Sequence, residues 1–333
     1  MGRHVDGDGA DRLSAAPRLH PAHYEPARVP PEVARFGDGG GALAVGSPGK
    51  VGLLELAFEV RGCGEAARTQ LVHHYQKAPL QIMRPLYFDD AWPQMPFTYL
   101  ITTGGGVLHG DRLRMDLTFG PGTAAHVTTQ AHTKLYRMDG GYATASAHLS
   151  VGAGAFVEYL PDPLIPYAAA RFAQRTVVTL DPTATFVTGE TIHAGRLSRG
   201  ERHAYDALAV DLDVVDPSGR PLVIDRTRLA GGSGDGDGDA HRVAVLGRHD
   251  VVATLYVVTP RIAAASIADA VHEATVSTAT GTTRTGVSVL PHDVGAWVRI
   301  VGDDTDNVAA TRHAGWSAAR LLLTGRPAPL VRK

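Results

Sequence analysis

Seven charged residues fall within or beside segments that otherwise read as strands: Asp111, Lys134, Arg137, Glu158, Glu190, Arg196 and Glu201. Such groups can do three kinds of work. Paired carboxylates can exchange protons, a carboxylate with an imidazole can hold a borderline divalent ion, and an acid against a base can lock a backbone. Lys134 is one of four lysines among basic residues that are otherwise arginines, and with Arg137 it flanks Tyr136 just after a strand of Thr and Gln side chains. The sixteen histidines are scattered. His126 and His132 lie six apart in one segment and share a side if that strand is unbroken. No closed ligand set is visible, which favours transient handling of an ion over storage.

The common catalytic signatures do not fit. The glycines at 104–106 and 110 invite a nucleotide loop, but a dinucleotide fingerprint starting at Gly104 needs glycine where His109 stands, and no Gly-Lys-Ser/Thr follows. GGSGD at 231–235 ends in Asp235, where a nucleophile elbow needs glycine. His272-Glu273 lacks the second histidine of a zincin helix. The single cysteine, Cys63, excludes an internal disulfide or a Cys-based zinc site and reads as incidental in its Gly-Cys-Gly setting. His4, His20 and His23 read as tail histidines that bind nothing firmly, and the adjacent His73 and His74 point to opposite faces of a strand.

The elements that must position these residues are mostly short strands. Leu113, Met115, Leu117 and Phe119 alternate with Arg114, Asp116 and Thr118, as on a half-buried strand. VGLLELAFEV, ATASAHLSV, AFVEYLP, RTVVTL, ATFVT, ALAVDLDVV and PLVID read the same way, set apart by Gly, Pro and Asp. Pro79 and Pro85 break residues 69–88 into pieces suited to an edge. HRVAVLG and VVATLYVV suggest a hairpin beyond the flexible GGSGDGDGD, and TGVSVL and AWVRIV a later strand pair. Helices are expected only near the end. One opens at Thr259-Pro260 as cap and first residue. The other starts in the acidic DDTDN, with Val308, Arg312, Gly315, Trp316, Ala319 and Leu323 on one face, and stops at Gly325.

Hydrophobic residues at 44% and charged residues at 20% suit a protein with a real core, and the formal charge of -2 predicts no nucleic-acid partner. Residues 1–46 lack a sustained period and read as a mobile extension, leaving 47–333 as one β domain with C-terminal helices. With no signal-peptide pattern and no apolar run near ~18 residues, a cytoplasmic protein without membrane contact is expected.

Four blocks carry a resemblance: GGGVLHGDRL, TTQAHTKLYR, VEYLPDPLIPYAAARF and GETIHAGRLSRGE, in that order. They resemble the urease accessory protein UreD family, and KAPLQIMRPLY looks like its opening block. The resemblance covers about residues 49–325. Tyr159 stands where that family usually has tryptophan, Gly189-Glu190 where it often has Trp-Glu, and Ala194 where leucine often precedes Gly-Arg.

The resemblance implies a β-helix-like stack of short strands with two late helices. It also implies a non-enzymatic scaffold in nickel-centre assembly that binds apo-urease, UreF and, through UreF, the GTPase UreG. An internal water-filled passage for nickel belongs to the same picture. Its candidate wall or polar-network residues here are Asp111, Thr128, Lys134, Arg137, Glu158 and Glu190. Nickel would touch His109, Asp111 or Glu190 in transit and no cofactor would be held tightly. Arg312 and Trp316 mark the candidate partner-contact face of the last helix. Two other readings stay open: a β-helix carbohydrate-active enzyme working through Glu158 and Asp162, although Pro161 interrupts the run between them, and an adaptor without metal traffic.

Overall fold

The alternating strands assemble into a β-solenoid-like stack, seen in a computed structural model that describes residues 17–37, 49–231, 246–247 and 249–331. In the first sheet, Val51–Arg61, Arg112–Phe119, Ala143–Val151, Arg171–Leu180 and Ala207–Val215 run parallel. Arg68–Lys77 and Pro221–Ala230 close its two edges antiparallel, so the segment with the prolines does lie at an edge.

From this sheet the chain passes through turns into a second one, where Phe97–Thr102, Ala124–Thr129, Phe156–Tyr159 and Thr185–Thr188 are again parallel. It then adds Thr133–Leu135, Leu164–Pro166 and Thr191–His193 to a third short parallel ladder before returning. Three successive rungs thus place one strand in each ladder.

Register keeps like side chains together. Leu56, Leu117, Leu149, Val178 and Val214 stack across the first sheet, and Ala125, Val157, Phe186 and Val258 across the second. These rows belong to the main core, where Phe58 also stacks on Phe119 at 5.3 Å.

The opposite face of the second sheet carries its own core. Val251–Val258 extends the sheet antiparallel, followed by the pair Gly295–Gly302 and Arg284–Val289. Val187, Leu255, Val257, Val298 and Ile300 pack there against Ile267, Val271 and Trp316 of two helices, Ala264–Thr278 and Thr305–Thr324. Asp304 caps the last helix by accepting from the backbone N–H groups of Asp306 and Asn307, and Gly325 ends it at φ 71°. No described helix is long and apolar enough to cross a membrane.

Two sequence expectations need correction. The helix expected to open at Thr259-Pro260 begins at Ala264; the Thr259 hydroxyl pairs with that of Thr185 at the sheet end, 2.7 Å away, and accepts from the Arg261 N–H at 3.2 Å. Helices are also not confined to the end. Pro21–Tyr24 and Pro31–Ala34 form single turns, each started by a proline, within the stretch read as an extension. That segment lies on the first sheet: Val33 is fully buried among Tyr142, Ala173, Ala207 and Ala209, a burial that contributes ~1.5–3 kcal/mol. Arg112 donates to Glu25 (2.9 Å) and Arg114 to the His23 carbonyl (2.6 Å). The GGSGDGDGD loop beyond Gly231 and most of HRVAVLG lie outside the described residues, as do residues 1–16 and 38–48.

Candidate functional site

One row of the second sheet, on its outer face, is unusually polar. Phe97, His126, Glu158, Val187 and Val257 occupy successive register positions. Same-face neighbours on adjacent strands must meet, and His126 Nδ1 lies 2.8 Å from Glu158 Oε2 while the Phe97 ring stacks on the imidazole at 4.6 Å. The last helix lays Trp316 and Arg320, one turn apart, over this row. Trp316 Nε1 donates to Glu158 Oε1 at 2.8 Å, and Arg320 Nε lies 3.8 Å from the same oxygen. Arg320 also donates to Asp89, and Arg320 and Glu158 are both 0% exposed. Neither Arg320 nor Asp89 belongs to the charged residues that the sequence pattern singles out. The available signal was spacing, since Arg320 falls one turn after Trp316 on the buried helix face.

Two cavities lie on either side of this sheet. The first, about 250 Å³, sits between the sheets and is lined by Tyr159, Gln174, Glu190, Asp211, Tyr256 and Arg299, among others. The second, about 380 Å³, lies between the sheet and the last helix, with Thr128, His132, Asp162, His193, Arg312 and His313 in its wall. Pro161 lines both.

Glu190 lines the first cavity and Arg312 the second. Arg312 Nη2 lies 3.4 Å from the Gly189 carbonyl, and the Arg312 charge acts on Glu190. Burial pushes the Glu190 carboxyl up to about 7, against the opposing hydrogen bond from Gln174 and the pull of Arg312. Burial also lowers the Arg312 guanidinium from its ordinary value. Glu190 Oε1 and Arg312 Nε are buried and, among the described residues, have no hydrogen-bond partner. Such atoms are rare unless water or an ion completes them. Gly189 is required by a close approach: a Cβ there would lie 2.1 Å from the Thr254 carbonyl oxygen, so the aromatic residue expected by resemblance has no room.

The other sequence candidates are distributed as follows. Asp111 is buried and holds backbone, accepting from the N–H groups of Lys50 (2.8 Å), Leu108 (3.0 Å) and Gly49 (3.2 Å), with Lys50 Nζ at 3.2 Å. Thr128 donates to the Leu160 carbonyl at 2.7 Å. Lys134 points its side chain outward while its carbonyl accepts from Val107 (2.8 Å). Arg137 is exposed and bonded to Asp139, and His109 is half-buried in the glycine turn. Asp111, Lys134 and Arg137 line neither cavity. Arg196 and Glu201 bind each other across a tight turn (2.8 Å). The glycine turn serves register, since a Cβ on Gly106 would lie 2.7 Å from the Lys134 carbonyl oxygen.

His126 and His132 line the same cavity although the strand between them is broken after Thr129. Trp316 is turned into the core, and Arg312 is the partly accessible member of its pair. Glu158 is enclosed by His126, Trp316 and Arg320, whereas Asp162 lines the helix-side cavity. Among the described residues no group of three or more His, Cys, Asp or Glu side chains could hold a metal ion.

Comparison with known proteins agrees with the blocks read in the sequence. The model of the family described as "UreD urease accessory protein" matches residues 50–333. The chain is 52% identical to "Urease accessory protein UreD 2" of Streptomyces griseus over 291 residues, 87% of this chain and 96% of that protein. It is 39% identical to "Urease accessory protein UreD" of Haloarcula marismortui, covering 87% of this chain and 93% of the other. With "Urease accessory protein UreD 3" of Methylorubrum populi the identity is 37%, over 86% and 90%. On the ordered blocks, the stacked strands with late helices and these matches, the chain belongs to the UreD urease accessory protein family.

Proposed function

We propose that this chain is a non-enzymatic scaffold for nickel insertion into urease. It acts in the cytoplasm, bridges apo-urease to UreF and through UreF to UreG, and passes nickel along its polar interior without retaining it. The observation that supports this reading best is the Glu190–Arg312 junction: Glu190 lines a cavity of about 250 Å³, Arg312 lines one of about 380 Å³, and a buried Glu190 oxygen has no hydrogen-bond partner among the described residues. With a pKa near 7, the Glu190 carboxyl can exchange its proton for a passing cation at neutral pH. The neighbouring Arg312 weakens cation binding, which suits an ion that must move on. A closed multidentate cage would store nickel instead.

Urease co-expressed with its other accessory proteins at limiting nickel should be nickel-poor and inactive without this chain, and active with it. Metal analysis and urea turnover of the purified enzyme measure both. Full activation in its absence would remove the proposal.

A further inference from the structure

Two histidines outside the Glu190 junction face each other at the mouth of the helix-side cavity. His132 sits in the connection before Thr133–Leu135, and His193 ends Thr191–His193. The strand Leu164–Pro166 lies between those two strands, and the imidazoles come together with ring centroids 5.8 Å apart and planes inclined by 62°. His132 is exposed, His193 is half-buried, and both line the cavity. Among the described residues neither ring has a hydrogen-bond partner that would occupy its nitrogens.

We propose that His132 and His193 form an open two-imidazole binding site for a borderline divalent cation such as nickel or zinc. The spacing fits: nitrogen ligands lie ~2.0–2.1 Å from such an ion, which places each ring centroid ~1 Å farther out and two ligating rings ~5–6.5 Å apart. Imidazole must be neutral to bind metal. The other titratable and charged groups lining the cavity are His126, Asp162, Arg312 and His313. Asp162 contributes favourable negative charge there and Arg312 opposes it. Burial and Arg312 together push His313 down, which keeps a further positive charge from building up.

With two protein ligands the remaining coordination positions belong to water, and the ion exchanges readily. The site's chemistry stands alone, while its assignment to nickel on the way to Glu190 rests on the function proposed above. Equilibrium dialysis of the purified full-length chain against Ni²⁺ at pH 7.5 tests it. His132→Ala and His193→Ala should each weaken one binding event by ~10-fold or more, and the double variant should fall no further than either single. His74→Ala, on the edge strand and bonded to Gln76, should change nothing. Unchanged binding in both single variants, or independent losses that multiply in the double variant, would overturn the shared site. Urease activation by the same variants is read separately. Lost binding with normal activation would leave the site in place and overturn only its assignment to nickel delivery.

Discussion

Arg320→Met is expected to destabilise the chain by ~3–5 kcal/mol, because it strands buried carboxylates without their cation. Arg320 is the largest fully buried side chain among the described residues, set between Asp89 (5% exposed) and Glu158 (0%). Taking three ionic groups out of water is favourable only while their charges are matched, so the deleted partner matters more than the net worth of the cluster. Chemical denaturation should show the midpoint falling with the slope unchanged. Adding Asp89→Asn and Glu158→Gln to the same chain should recover most of the loss, since neutral amides remove the uncompensated charge. A shift below ~1 kcal/mol for Arg320→Met would place these groups in the range of exposed pairs and contradict the burial.

Glu190 should make stability fall as pH rises. Its pKa in the folded chain, about 7, lies above the ordinary carboxyl value of 4.5, so the folded state holds the proton more tightly than the unfolded state. The contribution is fully present below pH 4.5 and is lost progressively as pH rises through 7. At 1.36 kcal/mol per pKa unit the full effect is on the order of 3 kcal/mol. Glu190→Gln keeps the shape of the side chain and removes the titration. The variant should match the parent near pH 4.5 and exceed it at pH 8, as read from denaturation midpoints across that range. A difference independent of pH would mean that the carboxyl is solvated in the folded chain.

The sequence made the ladder rows legible because alternation is a local property. Leu113, Leu117 and Phe119 are buried as their period requires, and the last helix begins and ends at Asp304 and Gly325. What it concealed was set by distant partners. Nothing local in DDAW around Asp89 or in ARLL around Arg320 indicates that residues 231 positions apart form a buried ion pair. Lys134 drew attention by its rarity, yet its outward side chain shows that rarity in composition carries no positional meaning. Thr259 looked like a helix cap because its bond to Thr185 cannot be read from neighbouring residues. The second imidazole of the His132–His193 pair was hidden for the same reason, since their strands are brought together only by the Leu164–Pro166 rung.

Nickel content decides most directly whether the Glu190 junction conducts an ion or merely fills space. Urease should be matured at limiting nickel with the Glu190→Ala chain, with retention of the accessory complex checked by co-purification. The complex should persist while nickel per urease active site falls by ~10-fold or more, the loss expected when a tuned metal contact is removed. Full nickel loading by an intact complex carrying Glu190→Ala would contradict the passage and leave the chain as an adaptor.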